Sequence, residues 1–167
     1  MLAVYRGDSE EVERLLSADP ELDVFEAAAL GRVERLRELL DADPELVRAR
    51  SVDDGTALHF AAFFRQPAAT RLLLDRGADL EAVASTFGNV TPLHSACASG
   101  ERESARILLE AGANPNVRQQ GGFTPLQAAA QNGDEELARL LLARGADPGA
   151  ATDDGRTARD FGLAHLF

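Results

Sequence analysis

Lysine is absent from the 167 residues: all 17 basic side chains are arginine, against 28 acidic ones, giving a formal net charge of -11. The lysine-free composition is read as a coding bias of the source genome, and a bacterial source is expected. The acidic excess, heaviest before residue 51, argues against nucleic-acid or anionic-membrane binding, because phosphate contacts need basic patches. A single cysteine permits no internal disulfide and agrees with a reducing compartment, so a cytoplasmic location is expected. No apolar run approaches the roughly 18 residues of a membrane span, and the first ten residues turn charged before any leader h-region forms, so no signal peptide is expected. Glycine-rich phosphate loops, zinc-ligand clusters and a calcium loop with its terminal glutamate are also missing, and no cofactor or metal is expected.

What is present is a unit, clearest at residues 89–115. Thr91-Pro92-Leu93-His94 opens a short helix with Leu93, Ala96 and Cys97 on its apolar face, and Gly100 ends it. A second helix over 101–110 carries Ala105, Ile107, Leu108 and Leu109, with Gly112 as its C-terminal stop. Neither helix buries its apolar side alone, so the unit needs neighbours. Thr124-Pro125-Leu126-Gln127 repeats the opening 33 positions later, and Thr56-Ala57-Leu58-His59 precedes it by 35. Gly77-Ala78-Asp79, Gly112-Ala113-Asn114 and Gly145-Ala146-Asp147 recur in phase.

On these motifs the chain resembles the ankyrin-repeat family along nearly its whole length. The resemblance implies an all-α fold, an ankyrin-repeat solenoid of stacked antiparallel helix pairs with short projecting hairpin loops. The expected division is one domain over 1–167, with a partial unit 1–21, units 22–54, 55–88, 89–121 and 122–154, and a half cap 155–167. In the partial unit Val12, Leu15 and Leu16 form the stripe after Gly7. Gly7 and Gly31 stand 24 positions apart, about nine short of the period, so a tight turn replaces the first hairpin. Asp43-Pro44-Glu45-Leu46 stands where the family has its Gly-Ala-Asp corner. Arg65 holds the place of a helix-ending glycine, and Pro67 fits a first helical turn. The stretch from Gly77 to Thr91 is two residues longer than its counterpart from Gly112 to Thr124, and the loop at 84–89 should project furthest. At the C-terminal end Arg159 and Asp160 replace leucine and histidine, as suits a cap with one wet face.

Groups capable of chemistry are few. The family resemblance implies that His59 and His94 hydrogen-bond between adjacent units, and one repeat of separation is too far for a shared metal. Cys97 sits at a small-residue position and reads as a buried, inert thiol; His94, three residues away, forms the single pairing with it, and no oxyanion-hole signature accompanies them. Asp53-Asp54 and Asp153-Asp154 fall in equivalent loops and read as turn residues. No catalytic activity is expected; an enzyme would need a deep polar pocket with converging titratable groups.

The resemblance further implies that a partner protein binds the concave face, built from loop tips and the exposed side of each first helix. By register the candidates are Phe63, Phe64, Phe87, Val90, Arg118, Gln120, Phe123, Gln131 and Arg156. Phe63, Phe64, Phe87 and Phe123 are expected to line one apolar patch rimmed by Arg118, Gln120 and Asp54, of the kind that anchors interfaces. The competing expectation is that Phe63 or Phe64 fills space beside Arg65 while Phe87 folds under its own loop. The partner's contact surface should be neutral or basic, with charge acting mainly on association rate. The functional reading is non-catalytic protein–protein recognition by a monomer. Alternatives are an inhibitor or immunity-type protein that blocks a toxin or enzyme, and self-association through Phe161, Leu163, Leu166 and Phe167.

Overall fold

A computed structural model describes residues 21–167. The partial first unit, the turn that would follow it and the stripe of Val12, Leu15 and Leu16 lie outside the described residues. The described chain runs as helix pairs: α1 (Val24–Ala29) with α2 (Val33–Ala42), α3 (Ala57–Phe63) with α4 (Pro67–Asp75), α5 (Pro92–Ser99) with α6 (Arg102–Glu110), and α7 (Pro125–Gln131) with α8 (Glu135–Ala143). A last short helix, α9 (Ala158–Phe161), is followed by a 3-10 turn, Ala164–Leu166, in place of a second helix. The odd-numbered helices stack on one another as an inner row, and α2, α4, α6 and α8 stack as an outer row. This is the expected all-α arrangement of paired helices.

Helices of four to ten residues are too short to persist alone in water, so packing has to hold them. The inner row buries small side chains, Ala27, Ala28, Ala57, Ala61, Ala62, Ala96, Cys97, Ala129 and Ala130, which let neighbouring helices approach closely. Large fully buried leucines come from both rows, Leu58, Leu93 and Leu126 from the inner one and Leu36, Leu40, Leu73, Leu108, Leu137 and Leu141 from the outer one. One continuous cluster runs through all the described units, with Phe161, Leu163, Leu166 and Phe167 half-buried against its C-terminal end. Ion pairs cross between outer helices at Arg76–Asp41 (2.7 Å), Arg102–Asp134 (2.9 Å) and Arg144–Glu110 (3.7 Å). Such exposed pairs contribute little each, so burial dominates.

The opening motif is a helix start. Thr56, Thr91, Thr124 and Thr157 are N-caps, and each forms a reciprocal capping box with the third helical residue, His59, His94, Gln127 or Asp160. The helix expected over 101–110 begins one residue later, because Glu101 acts as its cap. Pro44–Arg48 forms a 3-10 turn capped by Asp43 in place of the Gly-Ala-Asp corner.

Gly100 closes α5 in the left-handed region, at φ 69°. Arg65 does the same job at φ 63°, where a side chain crowds the following carbonyl at a cost of about 1–2 kcal/mol. Its guanidinium recovers part of this by pairing with Glu101 at 3.2 Å. Arg65→Gly is expected to raise stability by about 0.5–1 kcal/mol, measured as a higher urea midpoint with an unchanged slope. A lower midpoint would mean that the pair with Glu101 outweighs the backbone strain.

Candidate functional site

Among the described residues four hairpins project beside the inner helices. Each closes on itself through its own backbone: Ser51 N to Gly55 O (2.9 Å), Ala84 N to Val90 O (2.8 Å), Gln119 N to Phe123 O (2.9 Å) and Thr152 N to Arg156 O (2.8 Å). The second is the lengthened one, with a 3-10 turn at Ser85–Phe87 followed by left-handed Gly88 and Asn89.

Two sets of bonds hold the hairpins in series. In the first, the capping-box side chains of His59, His94 and Gln127 reach forward. Nδ1 of His59 and of His94 accepts the amide N–H of its own threonine, which leaves Nε2 to carry the proton. That Nε2–H donates to Val90 O from His59 (3.1 Å) and to Phe123 O from His94 (3.3 Å). Gln127 repeats the geometry with its amide, accepting from Thr124 N (2.7 Å) and donating to Ala150 O (2.9 Å) and Arg156 O (3.1 Å). Burial holds both histidines below their ordinary pKa, His94 at about 4, despite the carbonyls that favour the cation. Both imidazoles are therefore neutral at pH 7.

The second set joins the tips. Ser85 donates its amide (2.9 Å) and hydroxyl (2.6 Å) to the Asp54 carboxylate, and these bonds hold the Asp54 pKa down at about 2. Gln120 N donates to Gly88 O (2.7 Å), and Asp153 N donates to Gly121 O (2.8 Å). Asp54 is thus a cross-hairpin bridge, more than a cap on its own turn. Asp154 keeps to its own hairpin, accepting from the Thr152 hydroxyl and from Arg156.

The face between hairpins and inner-helix ends is a trough with two characters. At one end lies an apolar cavity of about 170 Å³ lined by His59, Phe60, Phe63, Phe64, Phe87, Val90, His94, Ser95, Ala98 and Gln119. At the other a wider polar depression of about 470 Å³ gathers Gln120, Phe123, Gln131 and Arg156 with Gln119, Thr152, Asp153 and Asp154. A third hollow shares His94, Ala98 and Gln119 with the first and Gln119, Phe123 and Gln131 with the second, so the three are continuous.

The expected patch of four phenylalanines is therefore three rings and one. Phe63 (42% exposed) and Phe87 (47% exposed) face solvent, while Phe64 is half-buried between Phe63, edge-on at 5.2 Å, and Phe60, stacked at 6.5 Å. Phe123 turns away to the C-terminal unit, edge-on to Phe161 at 5.0 Å, and the Arg156 guanidinium lies 4.5 Å above that same Phe161 ring. Arg118 reaches from the rim to Asp153 at 3.4 Å. Phe60 and Gln119 line the trough and Phe161 packs against Phe123; none of the three was among the sequence candidates. Phe60 was detectable, since it precedes Phe63 and Phe64 by three and four residues on one helix.

Cys97 is fully buried, and burial raises its thiol pKa, which disfavours the thiolate at neutral pH. Among the described residues no group of three or more His, Cys, Asp or Glu is placed to hold a metal ion, and no helix is long and apolar enough to cross a membrane.

A family model described as ankyrin repeats, in three copies, matches residues 1–84, 24–119 and 82–152. Among curated proteins the chain is similar to palmitoyltransferase Hip14 of Drosophila melanogaster, 32% identical over 100 residues, covering 60% of this chain and 15% of that protein. It is also similar to human CAP-Gly domain-containing linker protein 3, 44% identical over 69 residues, or 40% of this chain and 12% of the relative. A Caenorhabditis elegans transient receptor potential channel homologue is 34% identical over 98 residues, 59% of this chain and 8% of its own length. The chain thus spans a small part of each of these relatives, which come from animals.

Proposed function

The chain belongs to the ankyrin-repeat family, and from that premise we propose that it is a non-catalytic module that recognises a partner protein on the face made by its inner helices and hairpins. The observation that carries this reading is the apolar cavity beneath Phe63 and Phe87, the two most exposed aromatic rings among the described residues. Large apolar side chains left in solvent beside a concave surface have the character of interface anchors. The mechanism is rigid presentation. The capping-box bonds and the tip-to-tip bonds order the hairpins before a partner arrives, so binding spends little on ordering them. In this reading the protein is a cytoplasmic monomer of bacterial source, a single domain divided near residues 22, 55, 89, 122 and 155, and its partner presents a neutral or basic surface.

The test is affinity capture from the source organism's lysate with the wild type and Phe63→Ala/Phe87→Ala side by side. Both rings are exposed, so the variant is expected to keep its helical signal and melting temperature. A partner held by the wild type and lost by the variant is the expected result. A partner held equally by both would move recognition off this face.

A further inference from the structure

Resting on the recognition reading above, we infer that the trough takes a short extended segment of a partner protein, with one large apolar side chain in the phenylalanine-lined cavity and a basic side chain beside it, against Asp53. Three observations lead there.

Size comes first. A cavity of about 170 Å³ is smaller than the roughly 300–1,000 Å³ of sites that enclose drug-sized ligands or cofactors. It matches one leucine, methionine or phenylalanine side chain. Its walls are aromatic and aliphatic apart from the rims of two neutral histidines, Ser95 and Gln119, so a charged or strongly polar group would be stripped of water there with little to replace it.

The second is polar valence. Leaving the cavity, the trough passes Gln119 and Gln131. Neither side-chain amide has a hydrogen-bond partner within the described residues, whereas Gln127, one turn away, has every bond its register calls for. Carboxamides that can both donate and accept suit the N–H and C=O groups of an extended main chain. The cavity and these amides belong to hollows that share lining residues, so one extended segment can reach both.

Charge supplies the third. The arginines around the trough are engaged by carboxylates: Arg50 by Asp54 (2.9 Å), Arg65 by Glu101 (3.2 Å), Arg118 by Asp153 (3.4 Å) and Arg156 by Asp154 (2.9 Å). Asp53 is exposed and has no ion pair among the described residues, and its carbonyl accepts a hydrogen bond from Thr86, the neighbour of Phe87. One carboxylate without an ion pair therefore stands on the hairpin tip bonded to the Phe87 hairpin, on a chain whose net charge is already -11. The complementary ligand is an apolar residue with arginine or lysine close by in sequence.

The experiment is selection from a displayed library of random linear peptides on the full chain. A synthetic peptide of the enriched sequence is then titrated by fluorescence anisotropy. Expected is a consensus of one large apolar residue with a nearby Arg or Lys. Phe63→Ala/Phe87→Ala should weaken the peptide by about tenfold or more, and Asp53→Asn by about threefold at low salt with the difference fading at high salt. Enriched peptides without that pairing, or peptides unaffected by either variant, would overturn the inference while leaving protein recognition intact. No enrichment would also overturn it, and the lysate capture then decides separately whether a folded partner is recognised.

Discussion

Leu108→Ala is expected to lower the unfolding free energy by about 3–4 kcal/mol, near the middle of the range for fully buried leucines. Leu108 is 0% exposed and sits in α6, which is covered on its two sides by α4 and α8. The space it leaves cannot close easily. The inner helices behind it already pack through alanine and Cys97, and the hairpins are pinned by His59, His94 and Gln127. A solenoid has only nearest-neighbour interfaces, so a defect in a middle unit weakens two of them. For a chain of this length the loss corresponds to a fall in melting temperature of about 10 °C. Urea denaturation followed by circular dichroism measures it, with the half-buried Leu142→Ala as a comparison expected to cost clearly less. A shift under about 1 kcal/mol for Leu108→Ala would contradict the placement of that side chain in the core.

The second large effect depends on pH. The folded-state pKa of His94 lies at about 4, below the ordinary value near 6.5, because burial opposes the charged ring. The unfolded chain therefore binds more protons than the folded one between those values. Stability is full above pH 6.5 and is lost as pH falls through that window. Between pH 7 and pH 5 the loss from His94 alone is about 2 kcal/mol, and His59, shifted in the same direction, adds to it. Carboxylates with lowered pKa, such as Asp54, Asp154 and Asp160, lose their contributions at lower pH, so this window isolates the histidines. Replacing both with glutamine, His59→Gln/His94→Gln, should keep the fold, since Gln127 already fills the same register with the same kinds of bonds. The variant's stability should be nearly flat from pH 7 to pH 5. Equal slopes for variant and wild type would show that the histidines are not held neutral.

What the sequence made legible is what local chemistry dictates. A threonine cap with its partner three residues on, a left-handed glycine after a short helix and a proline in a first turn each need particular residues at particular places. They announced the helix pairs at Thr56, Thr91 and Thr124, and Arg65 stood out as a departure that the backbone confirms at φ 63°. The tip-to-tip bonds were not legible, because they run largely through backbone groups such as Gly88 O and Gly121 O, which any sequence carries. The site was legible by half. Phe60 and Phe64 stand four residues apart, the spacing that brings side chains together on one face, so Phe64 turns onto Phe60 while Phe63 faces solvent. Phe123 left the expected patch for Phe161, whose position depends on how the irregular last unit folds back. Gly162 shows how closely that unit approaches: at φ 154°, a Cβ there would stand 2.5 Å from Ala130 O. No repeat register encodes such a contact.

The central claim is that recognition uses the face between the inner-helix ends and the hairpins. The most direct measurement is amide hydrogen exchange on the free protein and on its complex with the captured partner. Added protection is predicted in the hairpins at 82–90 and 117–123 and at the C-terminal ends of α3 and α5, with the outer helices α4, α6 and α8 unchanged. Protection confined to those outer helices, with the hairpins exchanging as in the free protein, would contradict the account.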